Sequence, residues 1–429
     1  YLYRLTGTLN IDGMIAGGFR ESLSSGGAAA PAVAAIFLVT AALLIELKPF
    51  PANGWALDVY EASHPGITSL LSVASSTAIL AAIYKLLPLM PPQLLATLGG
   101  VGFLTFALSN YLGLKQSDGR RMLGYSSVGQ IGVILAVITT GTLEAIGDAT
   151  MLLIGGGFLL NHYLAKGGLF WLFGALEVRS AQEMRGAFGK SSGESSAGVR
   201  RGGEVALFLL ITLFLALAAL PPFPGFWAKW GLVSLLAENG SYFYLILLLA
   251  GSLFEVAYLF RWVGYARGEE APATTAMEPH AAETAHGATE ETPLEAERPG
   301  LLVPALFTIL VLAAGPLTGW VSGFRQLWLL APFAFFLGLA LLDILPNGLK
   351  GAIALAAVAF TTYRLYPSAT AAGGLHLFFL ALLGGGSLLL LVAPLRRGGR
   401  QPLFYAASTA LAMAMLGVLE AQSSLALFV

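Results

Sequence analysis

The sequence predicts an all-α polytopic transmembrane helix bundle of about 12–13 spans, some of them discontinuous, and three observations predict it. Hydrophobic residues make up 56% of the chain, charged residues only 11%, and the mean hydropathy is +0.76. A soluble domain carries roughly 25% charged residues, so this chain lacks the means to cover itself against water. Its apolar residues fall in uncharged runs of about 17–25 positions, the length that crosses a hydrocarbon core. They do not alternate as barrel strands would. The absence of cysteine excludes disulfides, thiolate metal sites and iron–sulfur ligation within the chain.

Uncharged runs place spans at 29–47, 67–88, 94–114, 126–143, 149–177, 203–236, 241–263, 301–321, 327–345, 350–366, 374–393 and 403–420. A further span starts near Ser424. The 203–236 run is too long for one straight crossing and holds Pro221-Pro222-Phe223-Pro224-Gly225. Proline removes donors and blocks the helical ladder, so a single span broken at its middle is expected there. The chain opens at Tyr1 and ends at Val429 inside an apolar run; a segment of a longer polypeptide is expected, with processed or disordered ends as the alternative.

Loop charge tests the span count. Loops 115–125, 178–202, 264–300, 346–349 and 394–402 fall on one side. They collect Lys115, Arg120, Arg121, Arg179, Arg185, Lys190, Arg200, Arg201, Arg267, Arg298, Lys350, Arg396, Arg397 and Arg400. The other side has Arg4, Arg20, Lys85, Arg325 and Arg364. The positive-inside rule makes the first set cytoplasmic. The segment at about 268–300 is low-complexity Ala, Thr, Pro and Glu, too polar to pack, and is expected to be disordered or laid over a partner. Its His280 and His286 read as solvated side chains rather than metal ligands.

Ionisable groups inside spans are costly and default to functional candidates. Glu46 and Lys48 stand beside Pro49 and Pro51 where an apolar run breaks. Broken helices expose backbone groups at which an ion can pause; alternatively the two residues mark the membrane edge. His162 and Lys166 are four residues apart in an apolar span, hence on one helix face. They could pass a proton, or hold helices together as a polar pair. Lys229 follows the proline break by one turn, among Phe226, Trp227 and Trp230; snorkelling is the competing account. Glu255 lies about a turn and a half before Arg261, near the cytoplasmic end, where the two could pair locally.

With these residues in place, the chain resembles the antiporter-like subunits of respiratory complex I, a family shared with multisubunit cation/proton antiporters and membrane-bound hydrogenases. Tyr3 to Asn10 resembles the Thr-Gly-Ser-Leu loop after the family's sixth span, and Trp55 to Glu61 its Trp-x-Pro-Asp-Val-Tyr-Glu stretch. Arg120 to Gly132 is similar to the signature Lys-Arg-x-Leu-Ala-Tyr-Ser-Ser. Asn161 to Lys166 resembles Asn-His-x-x-x-Lys, and Pro221 to Lys229 resembles Pro-Pro-x-x-Gly-Phe-x-x-Lys of the broken twelfth span. The resemblance implies that buried lysines and a glutamate pass protons, with Lys229 as the twelfth-span lysine and Lys166 as the central one. Two positions depart from it. Glu46 stands where the family's seventh-span lysine would, with Lys48 as the candidate substitute. Ser76 stands at the eighth-span lysine of some members, and Asn53 at the histidine of Pro-Phe-His.

The resemblance also divides the chain. Residues 1–325 read as the C-terminal part of one antiporter-like module, and 326–429 as the opening helices of a second, or as extra C-terminal anchoring helices. It implies a proton- or cation-translocating membrane subunit of a complex I-like or hydrogenase-type redox-driven pump. No cofactor is expected in this chain, and its standing as an enzyme is left open. Its expected partners are other membrane subunits, further antiporter-like subunits, a redox arm and the bilayer, with no nucleic acid; the expected location is a prokaryotic cytoplasmic membrane. Rival readings are a sodium/proton antiporter subunit without redox coupling, and a structural subunit whose relay has decayed.

Overall fold

The computed structural model describes residues 2–8, 10–23, 29–188, 197–268, 300–322 and 347–372, with 409 and 413. The spans expected at 327–345, 374–393 and 403–420 lie outside these, residues 409 and 413 apart. So do the span near Ser424, His280, His286 and almost all of the polar segment 268–300. The described residues belong to two units, 1–199 with 209–313 and 200–208 with 314–429.

Among the described residues every element is helical. Short helices α1 (Leu2–Thr6), α2 (Ile11–Ala16) and α3 (Phe19–Ser22) precede α4 (Ala29–Leu47). Where α4 ends, Lys48 adopts a left-handed φ of 60°, and Pro49 and Pro51 have no N–H to continue a ladder. The run resumes as α5 (Gly54–Ala62), so the prolines interrupt it. The next span is α6 (Pro65–Leu70), a π-helical turn (Leu71–Ser75) and α7 (Ser76–Leu86). Then come α8 (Pro92–Leu114) and α9 (Gly119–Leu143), the latter capped by Asp118, whose carboxylate accepts the Arg121 N–H at 2.8 Å. Helix α10 (Asp148–Met151), a second π-helical turn (Leu152–Gly156) and α11 (Gly157–Ala175) form one run. Helices α12 (Ala181–Phe188), α13 (Ala197–Leu217), α14 (Pro224–Glu238), α15 (Tyr242–Ala266) and α16 (Leu302–Val321) follow. The break expected near 221–225 is there, between α13 and α14.

Six described helices are long and apolar enough to cross a membrane: Ala30–Leu47, Pro65–Leu89, Pro92–Leu114, Gly119–Leu143, Tyr242–Ala266 and Leu302–Val321. The chain is a multi-pass membrane protein. Of these six, α9 is the most enclosed, with 94% of its apolar stretch buried. It packs along α8 and also meets α5, α7 and α11, while α15 lies on α8 and α14 on α11. On α9 the side chains of Ser126, Ser127, Gln130 and Thr139 are therefore buried among neighbouring helices.

One end of this unit is tied by backbone and charge. The Gly119 N–H donates to the Arg179 carbonyl at 2.6 Å, and Arg261 donates to the Gln116 carbonyl at 3.1 Å. Arg121 pairs with Asp58 at 2.8 Å and Glu61 at 2.7 Å. The loops before α9 and after α11 thus gather with the ends of α5 and α15. There Glu183 opens α12 with a capping box: the Arg179 and Ser180 N–H groups donate to its carboxylate, and its own N–H donates to Ser180 Oγ. Burial alone would raise this carboxyl, but those donors hold it below the ordinary carboxylate range. At the opposite end Asn239 donates to Glu144.

In the second unit α17 (Asn347–Ala372) buries Lys350, Ala354, Val358, Thr361 and Leu365. These five lie three or four residues apart, along one face.

Candidate functional site

The polar side chains enclosed within the first unit are strung across α9. Lys166, fully buried on α11, donates from Nζ to the Leu123 carbonyl of α9 at 3.0 Å. One turn earlier, His162 is also fully buried, with Nε2 3.1 Å from the Ser72 carbonyl in the first π-helical turn. A carbonyl only accepts, so Nε2 carries the proton. In the neutral ring Nδ1 then holds a lone pair, and it is buried without a hydrogen bond. The same Ser72 shares a 2.6 Å hydroxyl contact with Ser127 of α9. His162 and Lys166 share a face, as their spacing predicts, and each is satisfied by a backbone carbonyl rather than by the other.

Glu255 is fully buried on α15 and accepts from Ser126 at 3.0 Å and from Gln130 at 2.9 and 3.1 Å. All three hydrogen bonds come from neutral α9 groups. Lys229 and Lys166 both lie within electrostatic reach of its carboxylate. The local pairing with Arg261 is not formed, because Arg261 points at the Gln116 carbonyl. Glu255 therefore stands inside the bundle, bonded to α9 rather than to Arg261.

Lys229 sits on α14, partly buried, and reaches back across the helix break to the Ala218 carbonyl at 3.3 Å. Carbonyls at a helix end have no ladder partner and carry negative partial charge, which suits an ammonium. Asn161 secures the break from α11 by donating to the Ala216 carbonyl at 2.9 Å. It packs so close to Gly225 that a Cβ there would lie 2.7 Å from its amide nitrogen.

At the other break, Phe50 N–H donates to Thr105 Oγ1 at 3.1 Å. Thr105 is midway along α8, so this break lies within the bundle rather than at its edge. Lys48 is 2% exposed, its ammonium 5.7 Å from the Trp55 ring centroid and 5.8 Å from that of Tyr60, the range of cation–π attraction. Glu46 accepts from Ser75 at 3.3 Å. Ser76 is buried and donates to the Leu71 carbonyl at 3.2 Å, and Asn53 is 6% exposed just before α5.

Tyr60, Ser126, Ser127 and Gln130 lie in the motif stretches Trp55–Glu61 and Arg120–Gly132, but their place at the site, like that of Ser72, comes from the structure. Ser126, Ser127 and Gln130 could have been found: hydrogen-bonding side chains grouped in one half of a largely apolar span are themselves a signal. Ser72 carried no such mark, since its importance comes from a π-helical turn that no residue type announces. Among the described residues no group of three or more His, Cys, Asp or Glu could hold a metal ion.

Known proteins share this architecture. Subunit N of the NADH-quinone oxidoreductase of Desulforudis audaxviator is 27% identical over 290 residues, 65% of this chain and 54% of that subunit. Subunit N 2 from Rhizobium meliloti is 28% identical over 245 residues, 56% of this chain and 47% of that one. The chain thus spans about half the length of the curated relatives it matches. Among solved structures, the Mrp complex from Dietzia sp. DQ12-45-1b aligns at a TM-score of 0.54 and 22% identity, over 76% of this chain and 65% of that chain. The membrane-bound sulfane sulfur reductase, an archaeal respiratory membrane complex, aligns at 0.54 and 22%, over 75% and 60%. These two likenesses concern the fold. The family model described as "NADH:quinone oxidoreductase/Mrp antiporter, TM" matches residues 1–255, more than half of the sequence, and the chain belongs to that family.

Proposed function

We propose that this chain moves protons across the membrane as one subunit of a complex I-like or hydrogenase-type redox-driven pump. The observation that carries the reading is the placement of Lys166, Glu255 and Lys229 on three helices of one bundle. Their hydrogen-bond partners are backbone carbonyls and neutral side chains. A permanent charge is costly in such surroundings, and passing the proton along relieves the cost. Lys229 serves the outer half of the path, Lys166 and His162 the centre, and Glu46 with Lys48 the inner exchange.

The chain contributes no redox cofactor of its own; quinone, flavin and iron–sulfur chemistry belongs to partner subunits, among them further antiporter-like subunits. The kinship with NADH-quinone oxidoreductase subunits N supports that division of labour. Residues 115–125, 178–202 and 264–300 face the cytoplasm of a prokaryotic cell.

The test is proton uptake by vesicles containing the assembled complex. Lys229→Ala is expected to lower uptake at least about tenfold, the kinetic equivalent of one lost charge-assisted hydrogen bond, with subunit composition unchanged. Uptake at the parent rate in an intact complex overturns the assignment.

A further inference from the structure

Helix α11 lies against both halves of the broken span. On one side of Asn161, a Cβ on Gly157 would lie 3.0 Å from Ala228 Cβ of α14. On the other, a Cβ on Gly168 would lie 2.9 Å from the Leu213 side chain of α13. Asn161 itself faces the gap between the two halves and is 2% exposed. Its amide nitrogen donates to the Ala216 carbonyl at 2.9 Å, while its Oδ1 is buried with no hydrogen bond. Leucine branches in the same way and would strand no oxygen. An unsatisfied buried acceptor costs more than one hydrogen bond returns, so packing alone does not account for the asparagine.

The gap supplies the reason. Residues 216–219 and 221–225 are buried, and their backbone groups need partners. Ala219 holds a left-handed φ of 56°, a conformation that is costly for a residue with a side chain and persists only where the surroundings dictate it. Two carbonyls just before this turn receive side-chain donors: Ala216 from Asn161 and Ala218 from Lys229. The acceptor of the lysine is therefore two residues from the point at which α11 grips the chain.

We infer that Asn161 is a positioning residue for Lys229, an inference that rests on the translocation reading above. It fixes the end of α13 that carries the lysine's acceptor. The berth of the ammonium thereby depends on the helix that holds His162 and Lys166. Asn161 takes no proton itself. A movement of α11 reaches the Ala216 carbonyl through one amide, and the Ala218 carbonyl two residues further on.

The test compares vesicles containing the assembled complex with parent, Asn161→Leu, Asn161→Ala and Lys229→Ala chains. Asn161→Leu keeps the branched shape and removes both the donor and the stranded oxygen, and the Ala216 carbonyl retains the Ala219 N–H at 3.0 Å. Proton uptake is expected to fall at least about tenfold, while the thermal midpoint of the solubilised complex stays level or rises. Asn161→Ala, which cannot overpack Gly225, is expected to lower uptake as well. A fixed acceptor favours the charged form of a lysine, so the alkaline limb of the residual uptake is expected to move toward acid by at least about half a pH unit. Glu255, the charged group facing Lys229 from α15, is the same in all four chains. A packing role would leave the pH profile in place. Parent uptake in both Asn161 variants, or reduced uptake with an unmoved profile, overturns the inference. If Lys229→Ala lowers uptake while the Asn161 variants do not, only the role of Asn161 fails. If Lys229→Ala also pumps at the parent rate, the translocation reading fails and this inference with it.

Discussion

Glu255→Gln is expected to bring proton uptake by the assembled complex to background. The carboxylate holds three hydrogen bonds from Ser126 and Gln130 and lies within reach of both Lys166 and Lys229. Removing one partner from a buried charged set costs about 3–5 kcal/mol, chiefly because the remaining charge is left uncompensated. If that cost falls on the transfer step, uptake drops by roughly two to three and a half orders of magnitude. Glutamine has nearly the same shape and can still pair with Gln130, so the helices have little reason to separate. Glu255→Asp keeps the charge on a shorter arm and is expected to retain part of the uptake. The measurement is uptake set against the amount of assembled complex. Parent uptake in Glu255→Gln would reduce Glu255 to a polar tie between α9 and α15.

The uneven legibility of this site follows from where its information resides. The run at 29–47 coincides with α4 because hydrocarbon thickness dictates the length of an uncharged helix. Both breaks were announced by prolines, whose missing donors act within one turn. Lys166, His162 and Lys229 stood out because each is an ionisable residue in an apolar run. The partners of Glu255 were another matter. Ser126 and Gln130 lie 129 and 125 positions away. The nearest basic residue in sequence, Arg261, suggested a local pair that the packing of α15 against α8 does not form. The two π-helical turns were invisible for a different reason. Leu71–Ser75 and Leu152–Gly156 contain ordinary membrane residues, and a widened turn is selected by the neighbours it serves. The break at Lys48 was visible, but its depth was not: that became clear only through the Phe50 hydrogen bond to Thr105.

These observations share one dependence, the position of α9. Leu123, Ser126, Ser127 and Gln130 all lie on it, and between them they serve Lys166, Glu255 and Ser72 on three neighbouring helical segments. The polar thread holds together only if α9 keeps its register against α8, and two glycines allow that approach.

Gly102→Leu is therefore expected to prevent accumulation of the folded chain in the membrane. A Cβ on Gly102 would lie 2.5 Å from the Gly132 carbonyl oxygen and 2.7 Å from the Ala136 nitrogen. Both are backbone atoms of α9, and neither can retreat without moving the helix. A Cβ on Gly132 would in turn lie 2.8 Å from the Gly102 oxygen and from Thr105. Lipid chains are as apolar as leucine, so association of spans depends on close packing of this kind rather than on expelling water. Even Gly102→Ala is expected to cost about 1–3 kcal/mol through overpacking, lowering the thermal midpoint of the complex and its uptake together. Gly100→Ala is the control, since its Cβ would meet only the Tyr244 hydroxyl at an ordinary 3.7 Å. It exchanges a flexible residue for a better helix former at no steric cost. The comparison is membrane accumulation and thermal midpoint for the three variants. Equal behaviour of Gly100→Ala and Gly102→Ala would mean that α8 and α9 can part without consequence, and the carbonyls and hydroxyls that α9 presents would then not depend on this crossing.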